Sequence, residues 1–284
     1  SSLCFCLYCS KNHRASKPRR RFKAATKRNI GEKPCKNCRN QVSCSQEIIF
    51  QEEHTMLKHI FLDLDDTILN FTTGEAKALT QALREAGIEP TVAVLVRYHL
   101  INIAHLELLE EGRLTREEVL VQRFQQLFRE LNIPHSGAAV NDRYEHLLSR
   151  QHDFIPGAKQ LLKDLSPRYD LYLASNGAAA VQHPRLDDSG IRPYFKGIFI
   201  SEELGADKPS KAFFDACFAA IPGFRTEEAV MVGDSLTSDI RGGRDAGLRT
   251  VWFNPQGREP RADIRPDYTI HALSELPSLL EFMQ

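Results

Sequence analysis

From Met56 onward, short unbroken apolar runs alternate with longer amphipathic stretches. Five runs read as buried parallel strands: Lys58–Asp63, Tyr169–Ser175, Gly197–Ser201, Ala229–Asp234 and Thr250–Asn254. Helical patterns lie between them, for example at Pro156–Leu165, Lys211–Ala220 and Ser238–Ala246. Strand, helix, strand in this order indicates an α/β fold, a Rossmann-like core around a parallel sheet. The alternation breaks once. Residues 72–150 carry helical patterns only, at Thr73–Ala86, Val92–Glu111, Thr115–Leu131 and Gly137–Arg150, with Gly87, Gly112 and Asn132-Ile133-Pro134 as punctuation. We read them as an all-helical cap domain inserted into a core made of residues 56–71 and 151–284.

Composition changes the picture at residue 55. The chain has 284 residues, 42% of them apolar, enough for a real core, and a formal net charge of zero. That zero conceals a split. Residues 1–55 hold 12 Lys/Arg against 4 Asp/Glu, leaving 25 against 33 for the remainder. Cys4, Cys6, Cys9, Cys35, Cys38 and Cys44 also fall in the first part, and only Cys217 in the second. The spacing Cys35-x-x-Cys38 suits a zinc half-site, although no second such pair or paired His follows. The run Lys17-Pro18-Arg19-Arg20-Arg21-Phe22-Lys23 fits a nucleic-acid contact, a localisation signal or a solvated disordered tail. An upstream extension, with the functional protein beginning at Met56, accounts for more of the change. The apolar opening is too short to span a bilayer, which takes ~20 residues. A lone Cys217 in the body fits a reducing cytosol and a cytoplasmic protein.

Ligands of open parallel sheets bind at the carboxyl ends of the strands. The first strand ends in Asp63-Leu64-Asp65-Asp66-Thr67 and the second in Ser175-Asn176-Gly177. Asp207-Lys208-Pro209 follows the third, and the fourth ends in Gly233-Asp234-Ser235 with Asp239 beyond it. Any one of these is an ordinary turn or cap. The ordered set instead brings carboxylates, a hydroxyl, an amide and a lysine to one edge.

That set resembles the phosphatase branch of the haloacid dehalogenase superfamily. Its motif Asp-x-Asp-x-Thr matches Asp63, Asp65 and Thr67. Its Ser/Thr motif matches Ser175, its Lys motif Lys208, and Gly-Asp-x-x-x-x-Asp matches Gly233, Asp234 and Asp239. The resemblance implies a Mg²⁺-dependent phosphomonoester hydrolase. Asp63 would attack phosphorus, and Asp65 would act as general acid and base. The Asp63 carboxylate, the Asp65 backbone carbonyl and the Asp234 carboxylate would hold Mg²⁺ through hard oxygen ligands. Ser175, the backbone N–H of Asn176, Lys208 and Thr67 would bind the phosphate, with Asp239 orienting Lys208 or a metal-bound water. Retention of Asp65 argues against haloacid dehalogenation, because halide leaves without a proton. Gly242-Gly243 would let a helix approach the sheet.

The cap bears on substrate. Tyr98, Asn102, His105 and Leu109 share one helix face, which on general grounds packs into the cap core with its polar groups satisfied locally. The pattern Tyr98-x-x-x-Asn102, Glu111-Gly112-x-Leu114-Thr115 and Arg123-Phe124 is similar to caps of bacterial pyrimidine 5′-nucleotidases, with Leu106 where those tend to carry Trp. A small phosphorylated metabolite, most simply a nucleoside monophosphate, is the expected partner. The core is also similar to N-acylneuraminate-9-phosphatase, which leaves a sugar-phosphate phosphatase or a phosphomutase as the alternative. A zinc or nucleic-acid binder acting through residues 1–55 is the alternative of another class.

Overall fold

The computed structural model describes residues 56–110 and 112–284. Residues 1–55, with the zinc, basic-run and extension readings, and Glu111 lie outside the described residues. Six strands form one parallel sheet: β1 (His59–Leu62), β2 (Asp170–Ser175), β3 (Gly197–Ile200), β4 (Ala229–Gly233), β5 (Arg249–Phe253) and β6 (Tyr268–Ile270), in the order β3-β2-β1-β4-β5-β6. β1 lies between β2 and β4, with Leu62 opposite both Leu173 and Val232. All four of its residues are buried, as a strand covered on both faces requires. Helices α5 (Ala158–Leu165), α6 (Ala179–Asp188), α7 (Ser201–Leu204), α8 (Lys211–Ala219), α9 (Gly242–Asp245) and α10 (Leu276–Phe282) complete the core. Ile60, Leu62, Leu171, Leu173, Val230 and Val232 pack on one face of the sheet, and Phe61, Tyr172, Phe199, Phe213 and Met231 on the other.

Between β1 and β2 stand four helices, α1 (Phe71–Glu85), α2 (Val92–Glu110), α3 (Arg116–Glu130) and α4 (Gly137–Leu148). Their boundaries follow capping chemistry. Asn70 accepts from the Thr73 N–H, and Ser136 from the Ala139 N–H. Thr115 and Glu118 bond each other's backbone in a capping box. Tyr98, Phe124, Leu127, Phe128 and Tyr144 form their shared core. The two chain segments joining the helices to the sheet lie side by side, with Asn70 N–H donating to the Asp153 carbonyl and Ile155 N–H to the Ile68 carbonyl.

Three details differ from the sequence pattern. β6 adds a sixth strand, three residues long and too short to show a period. α6 contains Pro184, which reads in sequence as a helix terminator. The helix expected over Ser238–Ala246 begins instead as a π-helical turn, Leu236–Arg241, before α9. The Gly242-Gly243 pair meets its expectation. A Cβ on Gly243 would stand 2.9 Å from Cβ of Met231 in β4, and one on Gly242 2.9 Å from Cα of Pro209.

Candidate active site

Register places the chemistry. β1, β2 and β4 end within two residues of one another in register, so Asp63, Ser175-Asn176 and Asp234 emerge at one edge. Lys208 arrives from the loop after α7 and is almost wholly enclosed. Its ammonium donates to Asp63 Oδ1 at 2.7 Å, Asp239 Oδ1 at 2.6 Å and the Ala174 carbonyl at 2.7 Å. Three acceptors match the three donors of an ammonium, which makes the buried charge tolerable. Asp63 and Asp239 hold that ammonium in its charged form, raising its pKa against the opposing effect of burial.

Asp239 spends its other oxygen on the Ser235 N–H at 3.0 Å. A Cβ at Gly233 would lie 2.2 Å from that oxygen, so glycine is the residue that leaves room for the carboxylate. Asn176 braces the lysine loop through a reciprocal pair: its Nδ2 donates to the Lys208 carbonyl and its Oδ1 accepts from the Lys208 N–H, both at 2.8 Å. Ser175 Oγ accepts from the Gly177 N–H at 3.2 Å and from Gln182 Nε2 at 2.9 Å. With both lone pairs engaged, its own proton remains for an incoming acceptor.

Ligand oxygens of Asp63, Asp234 and Asp239 lie within 4.8 Å of one another, the one such group among the described residues. Burial pushes the Asp63 carboxyl well above its ordinary range, with Lys208 opposing and Asp239, Asp65 and Asp234 adding to the rise. Burial, then Asp239 and Asp66, raise Asp234 to about 7 despite Arg258 and Lys208. Such a set of hard oxygen donors, short of compensating charge, fits a divalent cation. The cluster holds both carboxylates of the expected set, Asp63 and Asp234, together with Asp239. The Asp65 carboxylate turns elsewhere, accepting from Arg185 Nη1 at 2.5 Å and Gln182 Nε2 at 2.7 Å. Thr67 is fully buried, and no described protein group bonds its hydroxyl oxygen.

Above these groups opens a cavity of about 280 Å³ bordered by Asp65, Asn176 and Lys208. Its cap side carries Leu106, Leu109, Val119, Leu120 and Leu148, with Asn102, Arg123 and Tyr144. The polar groups among these are largely satisfied within the cap. Arg123 donates to Asn102 and Asn141, Asn102 and Tyr144 donate to Glu75, and His105 Nδ1 pairs with the Ile101 carbonyl. The face carrying Tyr98, Asn102, His105 and Leu109 is therefore divided: Tyr98 packs in the cap core and His105 bonds within its helix, whereas Asn102 and Leu109 also border the cavity. Thr67 does not border the cavity, whereas Arg116, Gln182 and Arg185, unmarked by the sequence reading, do. Gln182 and Arg185 sit on α6, the helix Pro184 disguised. Among the described residues no helix is long and apolar enough to cross a membrane.

The segment that builds this edge is also the segment shared with known proteins. A profile of the haloacid dehalogenase-like hydrolases matches residues 57–247. The HAD-hydrolase YfnB of Bacillus subtilis is 40% identical over 221 residues, covering 78% of this chain and 94% of its own. The crystal structure of YfnB bound to magnesium superposes with a TM-score of 0.77, over 79% of this chain and 99% of that one, and reveals interdomain movement there. Pyrimidine 5′-nucleotidase PynA of Streptococcus pneumoniae is 38% identical over 79% of this chain and 95% of its own. Pyrimidine 5′-nucleotidase YjjG of Escherichia coli is 31% identical over 78% and 96%. With its four motif groups drawn to one sheet edge and full-length relatives on the same segment, the chain belongs to the haloacid dehalogenase-like hydrolases.

Proposed function

We propose that this phosphoric monoester hydrolase is a Mg²⁺-dependent 5′-nucleotidase for pyrimidine nucleoside monophosphates, working through a phosphorylated Asp63. The observation that carries the reading is the bordering of one cavity by the Asp65, Asn176 and Lys208 edge below and an aliphatic cap wall above. A phosphate fits the first and the flat face of a base the second.

A phosphomonoester dianion repels an approaching carboxylate. Asp63 and Asp234, with the Asp65 carbonyl, would hold Mg²⁺, which supplies the positive charge that offsets this repulsion and keeps Asp63 ionised. Ser175 and the Asn176 N–H would bind the phosphate oxygens that are not transferred and stabilise their growing charge, joined by Lys208 once its ammonium exchanges one of its three present acceptors for a phosphate oxygen. In the first half-reaction an Asp63 oxygen bonds phosphorus and the ester P–O bond breaks. The proton of Asp65 passes to the departing alcohol oxygen. In the second, water bonds phosphorus, the acyl-phosphate P–O bond breaks and Asp65 takes the proton of the water. Asp239 serves by fixing Lys208, since both its oxygens are occupied.

Substrate choice follows from the cap wall. Leu106, Leu109, Val119 and Leu120 give the cavity an apolar part beside the polar groups at Lys208. The relatives PynA and YjjG, both pyrimidine 5′-nucleotidases, support the same choice. A panel of dUMP, UMP, purine nucleotides, ribose 5-phosphate and N-acylneuraminate 9-phosphate, compared by kcat/KM with Mg²⁺, tests it. The pyrimidine nucleotides should lead the sugar phosphates by about tenfold or more, ~1.4 kcal/mol of differential binding. A sugar phosphate in the lead would refute the substrate reading while leaving the phosphatase chemistry standing.

A further inference from the structure

Arg185 lies in the last turn of α6, 1% exposed. A guanidinium leaves water at a high cost unless its donors are met in a fixed geometry. Here Nε donates to the Gln151 carbonyl at 2.8 Å, and Nη1 to Gln182 Oε1 at 2.7 Å and Asp65 Oδ1 at 2.5 Å. The group also lies 5.9 Å from the ring centre of Phe71. Phe71 opens α1 and Gln151 follows α4, so these anchors stand on the two segments that join the cap to the core. Gln182, one turn back on the same helix face, takes the other Asp65 oxygen at 2.7 Å and reaches Ser175 Oγ at 2.9 Å with the same amide. Each oxygen of Asp65 is thereby fixed by a different side chain, and both side chains belong to one helix.

Resting on the acid and base role proposed for Asp65, we infer that Arg185 and Gln182 are positioning residues that set the direction of its carboxyl group for proton exchange with the leaving alcohol. A carboxylate two residues beyond the nucleophile has two free side-chain torsions, and proton transfer demands about 3 Å and good alignment. The pair removes that freedom before substrate arrives. Because Gln182 also touches Ser175, the phosphate-binding hydroxyl and the proton donor are set from one point.

Leaving-group dependence separates positioning from mere support. p-Nitrophenyl phosphate releases a weakly basic phenolate that needs no proton, whereas an alkyl ester (dUMP, or ribose 5-phosphate if dUMP is not turned over) does. With kcat/KM as the readout, Asp65→Asn should lose about 10²–10⁴-fold on the alkyl ester and far less on the aryl ester. Arg185→Gln should lose about 10–100-fold on the alkyl ester and under about threefold on the aryl ester, with Arg185→Lys between it and wild type. Combined with Asp65→Asn, Arg185→Gln should add little, as residues acting as a unit do. Should Arg185→Gln not fold, Arg185→Lys carries the same comparison. Equal losses on both esters, or multiplying losses in the double variant, would overturn the inference and leave the Asp65 reading intact. A flat response for Asp65→Asn itself would overturn both.

Discussion

At the scale of single residues, the site is a problem in buried charge. Lys208 faces Asp63 and Asp239, and removing it leaves two carboxylates opposed in a dry pocket. Lys208→Met, similar in length but uncharged, should destabilise the metal-free protein by about 3–5 kcal/mol in denaturant unfolding. An unchanged midpoint would mean that the ion pairs contribute nothing to the fold. Asp234 gives the pH dependence. Its pKa is raised to about 7, so the folded chain holds a proton there that the unfolded chain has released. That contribution to metal-free stability is present at low pH and lost as pH rises from about 4 to about 7. A cation must displace the same proton, so Mg²⁺ affinity measured calorimetrically should climb through this window. An affinity that is constant between about pH 5 and 8 would contradict the assignment of Asp234 as a ligand.

At the scale of elements, strand ends were the most legible part of the chain. β1, β2 and β4 are buried on both faces, so their apolar runs stop where the sheet stops, and the next residues are the catalytic candidates. The four cap helices were equally plain, because Thr115 and Ser136 are strong caps and Gly87 and Gly112 sit at turns. What escaped has specific causes. Pro184 hid α6, and with it the two side chains that hold Asp65. The π-helical turn at Leu236–Arg241 has no distinctive period, and there the Asp239 carboxylate turns back to the Ser235 N–H instead of facing solvent. Arg116 could not be found by pattern, because its partners are 60 to 91 residues away in sequence. From the first position of α3 it donates to the Asn176 carbonyl at 3.0 Å, to Ser201 Oγ at 2.8 Å and to the Asp207 carboxylate. It thus ties a cap helix to both loops that present Asn176 and Lys208. Arg116→Ala should raise KM about tenfold, ~1.4 kcal/mol, with a smaller change in kcat. If neither constant moved, the cap-to-core tie would have no part in binding.

At the scale of the whole molecule, a net charge of zero divides into a basic first 55 residues and an acidic remainder. The family match begins at residue 57, within that acidic remainder. Part of the acidity has a task in the proposed chemistry: Asp63 and Asp234 concentrate negative charge where a cation would make an anionic ester approachable. The cap side contributes a mixed environment to the same cavity, with Leu106, Leu109, Val119, Leu120 and Leu148 beside Asn102, Arg123 and Tyr144. The central claim is that a phosphoryl group passes through Asp63. It is tested by acid-quenching a single turnover of the Mg²⁺-loaded enzyme and mapping the phosphorylated peptide by mass spectrometry. The account expects one phosphoryl group on Asp63, absent together with turnover in Asp63→Asn. Phosphate released with no modified Asp63, or full turnover by Asp63→Asn, would contradict it.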